Sequence, residues 1–146
     1  MQLPEYISPQ EVQRVCRELG IRDWTKLTKP QVDLEEARII QAEVGAEASQ
    51  ISVEEFRRGL EVELEHGIEF PDANVTNNHP ILTGKIVLAH LKEMLDYYVR
   101  LEVAELEGDL LKAFIRGNTE KLAQIYRKLI EARAELSASA KTQAEH

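Results

Sequence analysis

Residues 52–67 read SVEEFRRGLEVELEHG, and every part of that run points to a helix. Ser52 with Glu55 three positions later forms a capping box: the hydroxyl accepts from the Glu55 amide while the Glu55 carboxylate reaches back. Val53, Phe56, Leu60 and Leu64 recur at spacings of three and four, a single apolar stripe on a 3.6-residue period. Gly67 supplies the expected stop. At 100° per residue Glu63 falls on the edge of the stripe beside Gly59, whereas Glu61 and Glu65 point outward.

The pattern repeats on both sides. Toward the N-terminus, Ser8-Pro9 reads as a cap and first helical position and Gly20 as a stop, so 9–19 is expected to be a helix with Val12, Val15, Cys16 and Leu19 on one face. Residues 21–30 form a connector anchored on Trp24, and Asp33 starts a second helix running to about Ala48. Toward the C-terminus, residues 68–80 hold Pro71, Asp72, Asn74, Asn77, Asn78 and Pro80, a turn-forming stretch longer than the usual helix connection. A long helix is expected from Ile81 to Glu107. Its main apolar face is Val87, Leu88, Leu91, Met94, Leu95 and Tyr98, and its adjacent face Ile86, His90, Glu93 and Tyr97. Gly108-Asp109 marks a kink or interruption, Leu110, Leu111, Phe114 and Ile115 resume the pattern, and Gly117 stops it. Asn118 then caps a final helix whose Leu122, Ile125, Leu129, Ala132 and Leu136 approach a heptad seam, packing either within the chain or on a partner. Residues 137–146 (SASAKTQAEH) read as a disordered tail. No strand pattern and no fixed-period repeat occurs. The expectation is an all-α bundle of four to six helices in one domain over 1–146: N-terminal helices within 9–48, a core at about 53–104, a C-terminal arm at 109–137 and a tail at 138–146.

Length and charge set the outer bounds. A 146-residue chain buries about 70% of its unfolded surface, so neither metal nor disulfide is required for folding. With 26 acidic against 18 basic residues, a net −8, the chain lacks the basic excess of a nonspecific nucleic-acid binder. The lone cysteine, Cys16, excludes an intramolecular disulfide and sits on a core-like face. No apolar run of membrane-spanning length is present and the first ten residues do not resemble a leader, so the expected location is the cytoplasm.

Chemistry concentrates in two three-residue spacings, Glu63 to His66 and His90 to Glu93. Each places an imidazole and a carboxylate on one helical face, and two such helices facing one another offer a mixed nitrogen and oxygen set suited to iron, manganese or zinc. Glu63, His66, His90 and Glu93 are therefore the candidate ligands of a divalent metal, with Glu61, Glu65, Asp96 and Tyr97 nearby. Depth is the obstacle: His90 lies ~14 Å along a helix starting at Ile81, whereas His66 sits at the end of its own. The plainer account makes His66 a favourable C-terminal residue beside a stopping glycine, His90 a hydrogen-bonded core residue and Glu93 a solvated carboxylate. No nucleophile motif accompanies the His and Glu pair, so the chain leans away from catalysis. Thr83-Gly84-Lys85 lacks the Gly-rich run of a phosphate loop; Thr83 reads as a cap and Gly84 as a close-packing position. The competing function is a non-catalytic interaction or adapter module that binds a protein partner, or itself, through the C-terminal helices, with no role for nucleic acid or membrane.

The blocks Glu54-Glu55-Phe56 through Glu65-His66-Gly67, Asn74-Val75-Thr76-Asn77, Thr83-Gly84-Lys85-Ile86, Ala89-His90-Leu91-Lys92-Glu93 and Asp96-Tyr97-Tyr98-Val99-Arg100-Leu101 occur in an order that closely resembles DUF5661, a family of small proteins of unassigned function. The resemblance covers about 53–104, with Leu19 to Trp24 similar to the family's upstream piece. It implies a small helical intracellular domain in which these blocks belong together, and it supplies no established activity. Residues 25–51 and the arm after about Glu105 read as additions. Met94-Leu95 stands where the family favours an aromatic and a proline, and Asn78-His79 where acidic residues are usual.

Overall fold

The computed structural model describes residues 6–46 and 51–145, and among them it is all-helical. The chain order is α1 (Pro9–Leu19), α2 (Leu34–Glu43), α3 (Val53–Glu69), α4 (Pro80–Glu93), α5 (Tyr97–Ile115) and α6 (Thr119–Ala144), with single 3-10 turns at Trp24–Lys26 and Pro71–Ala73. The chain divides into two compact units, 1–93 and 94–146.

In the first unit the caps act as their residue types dictate. Ser8 accepts from the Glu11 amide, and Gly20 closes α1 in the left-handed region at φ 69°. Ser52 and Glu55 complete their capping box at α3. α3 packs on α2 and α4, and α4 also meets α2 and α1. Between them lie Val12, Cys16, Ile40, Phe56, Leu60, Leu64, Val87 and Leu91, with Trp24 fully buried. Gly84 lets α4 lie close against α2: a Cβ there would stand 2.7 Å from the Ile40 Cγ2 and 3.1 Å from the Val44 Cγ1. An ion pair closes the connector. Arg22 donates from its backbone and guanidinium to Glu36 on α2, and Glu36 also accepts from the Asp33 amide.

The second unit is a helical hairpin. Ala113 on α5 and Ile125, Leu129 and Ala132 on α6 are its buried seam, with Tyr98 near the base, so that part of the heptad-like spacing is spent within the chain. Asn118 caps α6 by accepting from the Lys121 amide.

Four expectations are corrected. The long helix does not run from Ile81 to Glu107: α4 ends at Glu93 and α5 begins at Tyr97. The break falls at Asp96, buried and bound through both carboxylate oxygens to Arg100; aspartate is a weak helix-interior residue and a good flanking one. Gly108 does not interrupt α5, which runs through it to Ile115. α2 stops at Glu43 rather than near Ala48, because Gly45 turns the chain at φ 75°; Glu47 and Ala48 lie outside the described residues. Finally, α6 continues through 137–144, where a tail was expected, since Ala, Ser, Lys and Gln there are compatible with helix and Thr142 and Gln143 bond back to Ala138 and Ser139.

Candidate functional site

α3 and α4 bring one of the predicted imidazole and carboxylate pairs together. The Glu63 Oε1 lies 3.8 Å from the His90 Nε2, with both side chains largely shielded, at 17% and 31% exposure. His66, one turn beyond Glu63, shares with it a cavity of about 230 Å3. Thr83 and Ile86 line that cavity from α4, and Phe70, Ala73, Asn74, Val75 and Thr76 line it from the loop. Glu63 thus reaches the turn of α4 that carries His90, whereas His66 faces the preceding turn. Glu93 is exposed at the last position of α4. From Ile86 to Glu93 the helix rises ~10 Å, whereas a metal ion gathers donors to within roughly 2–2.6 Å of itself. The four predicted donors are strung along the helix pair. Among the described residues, no three His, Cys, Asp or Glu side chains gather as a metal-holding group.

The neighbouring acids have other work. Glu61, expected to point outward, accepts from the Val32 amide at 3.1 Å and ties the connector to α3. Asp96 is paired with Arg100 in the second unit, and Tyr97 stacks edge-on against Tyr98 at 5.1 Å. Glu65 is exposed.

His79 is the functional-looking residue that sequence reasoning passed over. It is 8% exposed, and its Nδ1 accepts from the Ile81 and Leu82 amides at 3.2 and 3.4 Å. An imidazole thus fills the N-cap position of α4, the role assigned in advance to Thr83, which is buried inside the helix instead. Burial pushes the His79 pKa below its ordinary value; Glu11 opposes that shift and Arg14 reinforces it. Pro80 has no amide hydrogen and the Thr83 amide bonds to the His79 carbonyl, so none of the first-turn amides is left for an anion.

The Asn-rich loop is pinned in a similarly economical way. Asn74 Nδ2 donates to the Gly67 carbonyl at 3.1 Å and to the Asn78 Oδ1 at 2.8 Å. Asn77 and Asn78 both adopt positive φ, which asparagine tolerates better than most residues. Gly67 is not the end of α3, which runs on to Glu69; it is the place where the loop lies against the helix, and a Cβ would collide with Asn78 and Asn74.

The second unit carries the other notable surface. A groove of about 620 Å3 between α5 and α6 is lined by Leu110, Leu111, Phe114, Leu122, Ala123 and Tyr126, with Glu107 and Thr119 at its ends. Leu111, Phe114, Ile115, Tyr126 and Ile130 each keep more than half of their surface in water.

These features define an all-helical protein, a packed four-helix unit followed by a helical hairpin, in which no helix of the described residues is long and apolar enough to cross a membrane. The chain belongs to the family described as protein of unknown function DUF5661, whose model matches residues 12–107. That span takes in 25–51, the segment read from sequence as an addition, and leaves the end of α5 and all of α6 outside. No curated protein and no solved structure matches the chain.

Proposed function

We propose that this protein is a non-catalytic interaction module that docks a partner through its C-terminal hairpin. One observation carries the reading: five large apolar side chains of the hairpin stand in water, outside the seam that its two helices share. Monomeric surfaces rarely expose contiguous apolar patches beyond a few hundred Å2, and larger ones mark interaction sites. The net charge of −8 favours a protein partner over nucleic acid, and the single buried cysteine fits a reducing compartment such as the cytoplasm. The test is a photo-crosslinking residue in place of Phe114, introduced in the producing cells. Adducts of defined mass, lost when Tyr126→Glu is added, support the reading; the absence of any adduct removes it.

A second reading rests on the approach of Glu63 to His90. Two donors at the interface of α3 and α4, completed by water, give a weak divalent site for iron, manganese or zinc. Calorimetric titration of the protein with zinc or manganese tests it: saturable binding lost in the His90→Ala variant supports the site, and no binding at millimolar ion ends it.

A further inference from the structure

We propose that the partner of the hairpin is a second copy of the same chain, the two hairpins running in opposite directions about a two-fold axis to complete a four-helix bundle. This rests on the docking reading above and specifies it. The first argument is the thinness of the hairpin's own core. Of twenty buried apolar residues among those described, only Tyr98, Ala113, Ile125, Leu129 and Ala132 belong to the hairpin, and two of those are alanines. Tertiary burial supplies most of the stability of helices in proteins, and a two-helix seam this sparse calls for another layer.

Area is the second argument. Leu111, Phe114 and Tyr126 line the groove, and Ile115 and Ile130 lie four residues from Leu111 and Tyr126, on the same face. At roughly 100–150 Å2 apiece the five present ~600 Å2. With half-buried Leu110 and Leu122 the face approaches the ~800 Å2 per partner of a stable interface. Phe114 and Tyr126 are the aromatic type that anchors such contacts.

Charge selects the copy. One end of the groove face carries an acid and a base, Glu107 and Arg133, held to each other at 2.7 Å, and the other end carries uncharged Thr119. An acidic or basic partner finds no net complement there, whereas an identical neutral face does. Residues 94–146 hold nine acidic against eight basic side chains, so two hairpins meet with little net repulsion; residues 1–93 hold seventeen against ten. Opposed hairpins place one Glu107–Arg133 pair at each end of the shared apolar centre, a polar rim around a dry core. The stripe Glu102, Glu105, Asp109 and Lys112, at spacings of three, four and three, falls on another side of α5, away from the groove.

Sedimentation of the full chain over a wide concentration range tests this. The expected result is a reversible dimer, whose dissociation constant rises about 100-fold in Phe114→Glu and in Ile130→Lys while helical circular dichroism is unchanged. A chain that stays monomeric at several hundred micromolar overturns the proposal, as does a dimer indifferent to both substitutions. Should one variant lose helicity, the other decides. The crosslinking experiment separates the two levels: adducts to a different protein with none to itself overturn the dimer and leave the docking reading standing, whereas no adduct of either kind removes both.

Discussion

His79 shows how a single side chain can carry an acid sensitivity. Its Nδ1 must be unprotonated to accept the Ile81 and Leu82 amides, and burial favours the same neutral form. A histidine whose folded pKa is depressed contributes nothing to pH dependence while both states are neutral. As pH falls below the ordinary value of 6.5 the unfolded chain takes up a proton first, and stability is lost until the lowered folded pKa is passed. The His79→Ala variant is expected to lose about 1 kcal/mol at neutral pH, the usual worth of an N-cap, and to show a flatter melting-temperature profile between pH 7 and 5. Glu36 works with the opposite charge. Burial raises its pKa, the hydrogen bonds and charge of Arg22 more than reverse this, and the net shift is below the ordinary 4.5. That contribution is complete above 4.5 and disappears as pH falls through the folded value. Arg22→Ala leaves a shielded carboxylate uncompensated and is expected to cost about 3 kcal/mol in urea unfolding. Neither arrangement was legible beforehand. Histidine is not among the usual caps, and nothing in the spacing of Arg22 and Glu36 shows that a connector folds back between them.

Helices were easier to foresee than the relations between them. The starts of α1, α3 and α6 follow from Ser8, Ser52 and Asn118, because capping is chemistry between near neighbours in sequence. Gly67 and Gly108 misled for one reason: a glycine that ends a helix, one that admits a close neighbour and one that merely occupies a turn look the same in one dimension. Gly84→Ala and Gly108→Ala make that difference measurable. Both gain helix propensity of up to about 1 kcal/mol. Gly108 has nothing within 4 Å of a new Cβ and is expected to stabilise by nearly that amount, whereas the Cβ at Gly84 presses on buried Ile40 and is expected to destabilise by about 1 kcal/mol net. Thermal denaturation of the pair checks both signs. Among the candidate ligands Glu63 and His90 approach each other, and no three gather among the described residues, for a related reason. A three-residue spacing tells which face of a helix a donor occupies, and not how far along its neighbour that face comes to rest.

At the level of the complete chain, burial is unevenly shared. Fifteen of the twenty buried apolar residues among those described belong to residues 1–93, and opening free energies follow such differences. Amide hydrogen exchange is accordingly expected to be slowest along α3 and α4 and at least about tenfold faster along α5 and α6 in dilute protein; equal protection in the two units would contradict this. The all-helical architecture was legible because periodicity integrates over many residues. Division at Glu93 and Met94 was not, because no glycine or proline marks it and the residue responsible, Asp96, acts through burial and Arg100. One practical consequence concerns Trp24. It is the only tryptophan in the chain and is wholly enclosed within the first unit, so intrinsic emission excited at the red edge reports on that unit alone. A denaturation curve followed by this signal will look simple and cooperative even while the hairpin unravels unseen, and tyrosine absorbance or backbone ellipticity is needed to watch the other half.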